Sequence, residues 1–142
     1  MANKMSPARV RSFLGEGTRT GMLATVRRDG RPHVVPIWFV LDGDDLVFNT
    51  GTTSVKAAAM RRDPRVSIAV DEATPPYAFV TIEGTVTISE DRNELIKWAT
   101  AIGGRYMGPA RAEEFGRRNG VPGELLIRVT PVKIVAYSGV AD

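Results

Sequence analysis

The chain has 142 residues, a length that suits one domain, and 43% of them are hydrophobic against 25% charged, the balance of an ordinary globular protein. There is no cysteine and a single histidine, His33, which excludes disulfides, thiolate metal sites, cysteine nucleophiles and a His-rich metal centre, and disfavours a Ser-His-Asp triad. The net charge of +3 is too mild to imply nucleic acid, no apolar run approaches the ~20 residues of a membrane span, and MANKMSPARV lacks the apolar core of a signal peptide. A cytoplasmic location with no nucleic-acid or membrane partner is therefore expected.

Ser6-Pro7 reads as an N-cap and first-turn proline, starting a short helix with Val10, Phe13 and Leu14 on one face; Gly15 and Gly17 stop it. Thr20–Arg27 is a strand. Asp29-Gly30 predicts a type I′ hairpin turn into a long strand, Pro32–Leu41. That strand is apolar on both faces, so both should be covered, and Pro36, with no N–H to give a ladder, marks an edge, a bulge or a ligand-facing gap. Asp42-Gly43-Asp44 turns the chain into the strand Leu46–Thr50, and a helix follows that ends at Asp63-Pro64, because the residue before proline is pushed out of the α region.

Arg65–Asp71 is a strand with Val66, Ile68 and Val70 on one face. After the loop Glu72–Pro76, Tyr77–Ser89 alternates cleanly, with Ala78, Val80, Ile82, Gly84, Val86 and Ile88 on one side and a bend permitted at Gly84. Ser89–Met107 is the longest helix, with a buried stripe of Leu95, Trp98, Ala99, Ile102 and Tyr106, weakened or bent at Gly103-Gly104. Pro109–Arg118 is a more polar helix, and Leu125–Tyr137 is the last strand, with a bulge expected at Pro131. Residues 1–142 thus read as one domain, mainly β with peripheral helices, its roughly six strands forming a closed antiparallel sheet.

Asn49–Asp63 carries one electrostatic misfit. Thr52, Thr53 and Ser54 are natural N-caps, and Arg61 and Arg62 suit the last turn. Lys56 sits in the first turn, where the dipole disfavours a cation by roughly 0.3–1 kcal/mol, and no Asp or Glu offsets it. A lysine, three hydroxyls and a helix N-terminus together make a place for an anion, most naturally a phosphate; the alternative is a solvated lysine on a capped helix.

Elsewhere the chain is silent about chemistry. There is no GxGxxG or Walker pattern, no nucleophile–base pair, no metal cluster and no carboxylate pair. No catalytic residue and no metal ligand is assigned. An enzyme with this sequence would leave the chemistry to a bound cofactor. Trp38, Tyr77, Phe79, Trp98 and Tyr106 read first as core, although Tyr77 and Phe79 lie on the less aliphatic face of their strand, where a flat ligand or a second subunit would meet them.

Leu23–Val70 and the strand with Ile82-Glu83-Gly84-Thr85 resemble the pyridoxamine 5′-phosphate oxidase-like family of split β-barrels, which bind flavin or deazaflavin. The most specific pieces are Asp29-Gly30-x-Pro32-His33, Asn49-Thr50 followed by Ser54-x-Lys56, and Asp63-Pro64-Arg65-Val66. The likeness is closest to the branch using coenzyme F-420, an 8-hydroxy-5-deazaflavin, in which a lysine at this helix start grips the cofactor phosphate; Lys56 matches it, and Arg105-Tyr106-Met107-Gly108 looks like the helix end of that branch. FMN-binding members carry further basic residues in the third strand and beside the lysine, where this chain has Leu46–Thr50 and Val55.

The resemblance implies a six-stranded split barrel working as a homodimer, with sites at the interface. The ring would lie along Val34, Val35, Pro36 and Trp38, and the phosphate among Asn49, Thr50, Ser54, Val55 and Lys56. Tyr77, Phe79 or Tyr106 of the second subunit would close the pocket. The implied activity is hydride transfer from reduced F-420 to a small conjugated acceptor. The alternatives are an FMN-dependent enzyme of the same family and a non-enzymatic deazaflavin carrier or sensor.

Overall fold

The hairpin at Asp29-Gly30 forms in a different turn from the one its sequence suggests. In the computed structural model, which describes Met1–Asp142, Gly30 is the one residue of this turn with positive φ, at 88°. Its N–H donates to Arg27 O at 2.9 Å, while Arg27 N donates to Arg31 O at 2.8 Å. This is a three-residue loop closed by a left-handed glycine, which needs φ > 0 at one residue where type I′ needs two. It joins β2 (Gly21–Val26) to β3 (Pro32–Ile37).

The remaining elements in chain order are β1 (Asn3–Lys4), α1 (Pro7–Gly15), β4 (Val40–Asp42), β5 (Asp45–Gly51), α2 (Val55–Arg62), β6 (Arg65–Glu72), β7 (Ala78–Ser89), α3 (Arg92–Met107), a 3-10 turn (Pro109–Arg111), α4 (Ala112–Asn119) and β8 (Glu124–Ser138). They build an 8-stranded antiparallel sheet in the order β3-β2-β6-β7-β8-β5-β4, with β1 added to β8. No helix is long and apolar enough to cross a membrane.

Two departures from expectation trace largely to one break, the short β1 being the one further strand. The count exceeds six, and the sheet does not close, because the predicted strand Pro32–Leu41 breaks at Trp38-Phe39 into β3 and β4, which become the two free edges. Phe39 gives its N–H to the Tyr106 hydroxyl at 3.2 Å and its carbonyl to Arg105 Nη1 at 2.7 Å. Its backbone is satisfied by side chains of α3, so no partner strand is needed across the gap. Pro36 accordingly sits on an edge strand.

The inner face of the sheet packs Leu23, Phe48, Ile68, Val80, Ile82 and Ile127 against Phe13 and Leu14 of α1. The bulge near Pro131 is present: Glu83 pairs with Lys133 and Gly84 with Pro131, leaving Val132 extra. Gly84 is there for close approach, since a Cβ would lie 2.8 Å from Thr130 O. Gly103 neither weakens nor ends α3. A Cβ there would fall 2.4 Å from Phe115 Cβ, so the glycine is the seat on which α4 packs.

Only one face of β3 is covered in the single chain. Ile37 is buried, whereas Val34 is 58% exposed and Pro36 is also exposed. The register lines up Pro36, Met22, Ala69, Thr81 and Val135 in one row across the outside of β3, β2, β6, β7 and β8. All five are exposed.

Candidate functional site

α2 begins as its sequence predicts. Ser54 is the N-cap, its Oγ accepting from Ala57 N at 3.1 Å and lying 2.9 Å from Thr50 Oγ1. Thr52 N is tied to Gly123 O at 2.9 Å, and Ser54 N to Gly51 O at 3.2 Å. The amides of Val55 and Lys56 have no partner within the chain, as first-turn amides must if nothing caps them. The last turn is anchored by Arg61, which donates to Thr52 O, and by Arg62, which donates to Val26 O.

Lys56 is half-buried and makes no ion pair. Burial pulls its ammonium below the usual lysine range, and Glu124 offsets this only in part. A cation that is partly desolvated, set at a dipole's positive end and left without a counter-ion is an anion receptor by elementary electrostatics. Two free N–H groups beside it add directed donors. The residues present therefore fit a phosphate group. Asn49 is half-buried opposite Leu126, Thr50 is buried, and Val55 is exposed.

Glu124 has no signal in the sequence. It is brought to Gly51 by the register of β8 on β5, and its Oε2 is buried without a hydrogen bond. Burial raises its carboxyl above the ordinary glutamate value, and Lys56 lowers it in return. Only the pairing of two strands far apart in sequence reveals it.

At the break between β3 and β4 stands an aromatic shelf. Trp38, 40% exposed, stacks on Tyr106 of the same chain, with ring centroids 4.8 Å apart and planes within 1°. Phe115 leans on Trp38 at 6.4 Å. The Tyr106 hydroxyl donates to Arg19 O at 2.6 Å, and burial raises its pKa, so it is a fixed donor and no base. Arg105 donates to the carbonyls of Gly17, Phe39 and Leu14 at 2.7–2.9 Å, holding the α1 end and the β3–β4 crossing against α3. Val40, beyond Trp38, pairs with Val47, four residues or about 13 Å along β5 from Gly51. The far end of β5, at Asp45, is paired with Asp42, so Trp38 precedes β4 on the side facing Gly51.

Tyr77 and Phe79 are not with them. They lie at the start of β7, where Phe79 leans on Tyr137 at 6.0 Å. The Lys56 region meets the far end of that strand, since Ser89 pairs with Leu126 close to Glu124, and ten residues of strand from Phe79 to Ser89 span about 33 Å. Tyr106 serves its own chain's shelf. None of the four main cavities of the single chain is lined by Val34, Val35, Pro36, Trp38, Asn49, Thr50, Ser54, Val55, Lys56, Tyr77, Phe79 or Tyr106. Lys56 and Trp38 are therefore open to the outside in the single chain rather than enclosed in a cavity.

Comparison with known proteins agrees with this fold. The family model described as pyridoxamine 5′-phosphate oxidase matches residues 6–137. The conserved hypothetical protein Rv2991 from Mycobacterium tuberculosis superposes with a TM-score of 0.85 at 27% identity, over 95% of this chain and 86% of that one. A structure described as an F420 reductase matches at 29% identity and a TM-score of 0.68, over 87% of this chain and 94% of its own. A heme storage protein, HutZ from Vibrio cholerae, shares the fold at 20% identity and a TM-score of 0.73, over 96% and 98% of the two chains.

Proposed function

This chain belongs to the pyridoxamine 5′-phosphate oxidase family, and from that footing we propose that it is an oxidoreductase that binds coenzyme F-420 and delivers hydride to a small conjugated acceptor. The observation that carries the reading is Lys56, a half-buried cation without a counter-ion at a helix start with two unused amides. The similarity to an F420 reductase over most of both chains supports the deazaflavin over FMN. So does the absence of basic residues from Leu46–Thr50 and at Val55.

In this reading Lys56 and the amides of Val55 and Lys56 hold the phosphate. Thr50 and Ser54 fix the helix start, so those donors are preset and need no rearrangement. The free edge of β3 offers backbone groups of Val34–Pro36 to the ring, and Trp38, braced by Tyr106, sets its far end. When bound, the reduced deazaflavin supplies the hydride, and the chain's work is to orient it and shield it from water. The Tyr106 hydroxyl is committed to Arg19 O and Phe39, which leaves proton delivery to water.

We also propose a homodimer. The outward row of Pro36, Met22, Ala69, Thr81 and Val135 is exposed and mostly apolar, and the candidate site is not enclosed by one chain. A second copy laid on that face would bury the row and bring Tyr77 or Phe79 to a site that its own chain cannot reach. Titration of the purified chain with F-420 and FMN side by side tests the cofactor. Tight F-420 binding with weak FMN binding is expected; the reverse would establish the FMN-dependent enzyme. Mixing the reduced complex with a panel of acceptors tests activity, and no oxidation of any acceptor would leave a carrier.

A further inference from the structure

Glu124 is a poor neighbour for an anion, and its placement invites an explanation. Its Oε2 is shut away from water and accepts no hydrogen bond, a costly state for an ionised carboxylate. Lys56 stands near enough to be felt, yet the two are not within the 4.0 Å of an ion pair. Two partly desolvated opposite charges face each other across a gap.

The elements packed around Glu124 bring little else. Residues 50–53 of the β5 end and 121–123 before β8 carry no titratable group. From the start of α3, Glu90 and Arg92 line the same recess as Glu124, one charge of each sign, and Asp91 is spent capping its own helix. From α2, Arg61 is turned to Thr52 O. Lys56 is therefore the one charge that eases an ionised Glu124. An anion docked on Lys56 takes that ease away and sets a second negative charge close by.

We propose that Glu124 takes up a proton when a phosphoryl ligand docks on Lys56 and the first amides of α2, so that anion and proton bind as a pair. The proton comes from solvent and rests on a carboxylate oxygen; no bond in the ligand is made or broken. The proposal rests on the phosphate reading of Lys56 and adds a regulation of that site. Affinity falls as pH rises through the range in which the ligand-free site gives up this proton, because the ionised form must then be reprotonated on binding.

The test is calorimetric titration of the full chain with F-420 and with FMN, between about pH 5 and 8, in buffers of different ionisation enthalpy. Wild type, Glu124→Gln and Lys56→Ala are compared with the same ligand, which cancels any proton the ligand itself exchanges. Glu124 makes no side-chain hydrogen bond, so the amide replaces it without disturbing the fold. Wild type should take up proton that Glu124→Gln does not, and at the alkaline end Glu124→Gln should bind on the order of tenfold more tightly, the gap narrowing as pH falls. Equal proton uptake and parallel pH profiles in the two proteins, with Lys56→Ala still weakened, overturn the coupling alone. Undiminished affinity in Lys56→Ala overturns the site and the coupling with it.

Discussion

Replacing Lys56 by alanine separates a ligand receptor from a surface lysine. The side chain has no ion pair to lose, and its ammonium is disfavoured in the folded chain both by burial and by the α2 dipole. A base whose folded pKa is depressed weakens the fold while it is charged, and the penalty disappears above its unfolded pKa. At neutral pH, then, Lys56→Ala should relieve a dipole penalty of about 0.3–1 kcal/mol and forfeit the attraction to Glu124, leaving the ligand-free protein within about 1 kcal/mol of wild type. With ligand bound the cost is larger. A charge-assisted hydrogen bond to a phosphoryl oxygen contributes about 1.5–3 kcal/mol, so affinity should drop about ten- to a hundred-and-fifty-fold. Fluorescence titration with F-420 and FMN reads the affinity, and thermal unfolding without ligand reads the stability. Affinity within twofold of wild type for both ligands refutes the reasoning, as does a loss of stability well beyond about 1 kcal/mol, which would mean the ammonium has a stronger structural partner than Glu124.

Four other outcomes follow from the fold. Arg105→Met strips donors from the carbonyls of Leu14, Gly17 and Phe39 and should cost about 2–4 kcal/mol in chemical denaturation, with Trp38 emission shifted as its stack loosens; an unchanged midpoint would show water replacing the guanidinium. Gly103→Ala drives a methyl into Phe115 and should cost about 1–3 kcal/mol, whereas a helix weakened by glycine would be stabilised by the same change. Hydrogen bonds from Thr74 and then the Arg19 guanidinium hold the Glu72 carboxyl down to about 2. Its contribution to stability is present above the unfolded value near ~4.3 and is lost as pH falls towards the folded one. Glu72→Gln should therefore flatten the acid limb of the unfolding profile and leave neutral pH the same in form. Met22→Lys, within the outward row, should shift the mass in solution from dimer to monomer by light scattering and loosen F-420 binding with it; a wild type that is already monomeric removes the homodimer.

Local chemistry made much of this legible. Alternation gave β6 and β7, the serines before Pro7 and Val55 gave two N-caps, Pro131 gave the bulge, and Lys56 announced itself because the dipole rule is local. What stayed hidden depended on partners distant in sequence. Val34–Leu41 contains no breaker after Pro36, so nothing local says that Phe39 will leave the sheet; that is decided by Arg105 and Tyr106 arriving from α3. Gly103 reads as a helix weakener because Phe115, which needs its space, lies on another helix. Glu124 reads as one more polar residue before a strand because its neighbour Gly51 is fixed only by register. Asp29-Gly30 specifies a tight turn and leaves its type to the flanking ladder, which here closes on Arg27 and Arg31.

The break in the barrel and the candidate site are one feature. A closed barrel would spend the backbone of β3 on a neighbouring strand and leave no edge for a ligand. Arg105 and Tyr106 satisfy Phe39 from outside the sheet, which keeps β3 and β4 apart at no cost in unpaired backbone groups. The same tyrosine then braces Trp38 at the break, while Lys56 follows the Gly51 end of β5. The residues that hold the split open are thus not the ones that would touch a phosphate, and the two sets fail differently. Damage to Arg105 should reduce stability and affinity together, whereas damage to Lys56 should reduce affinity alone.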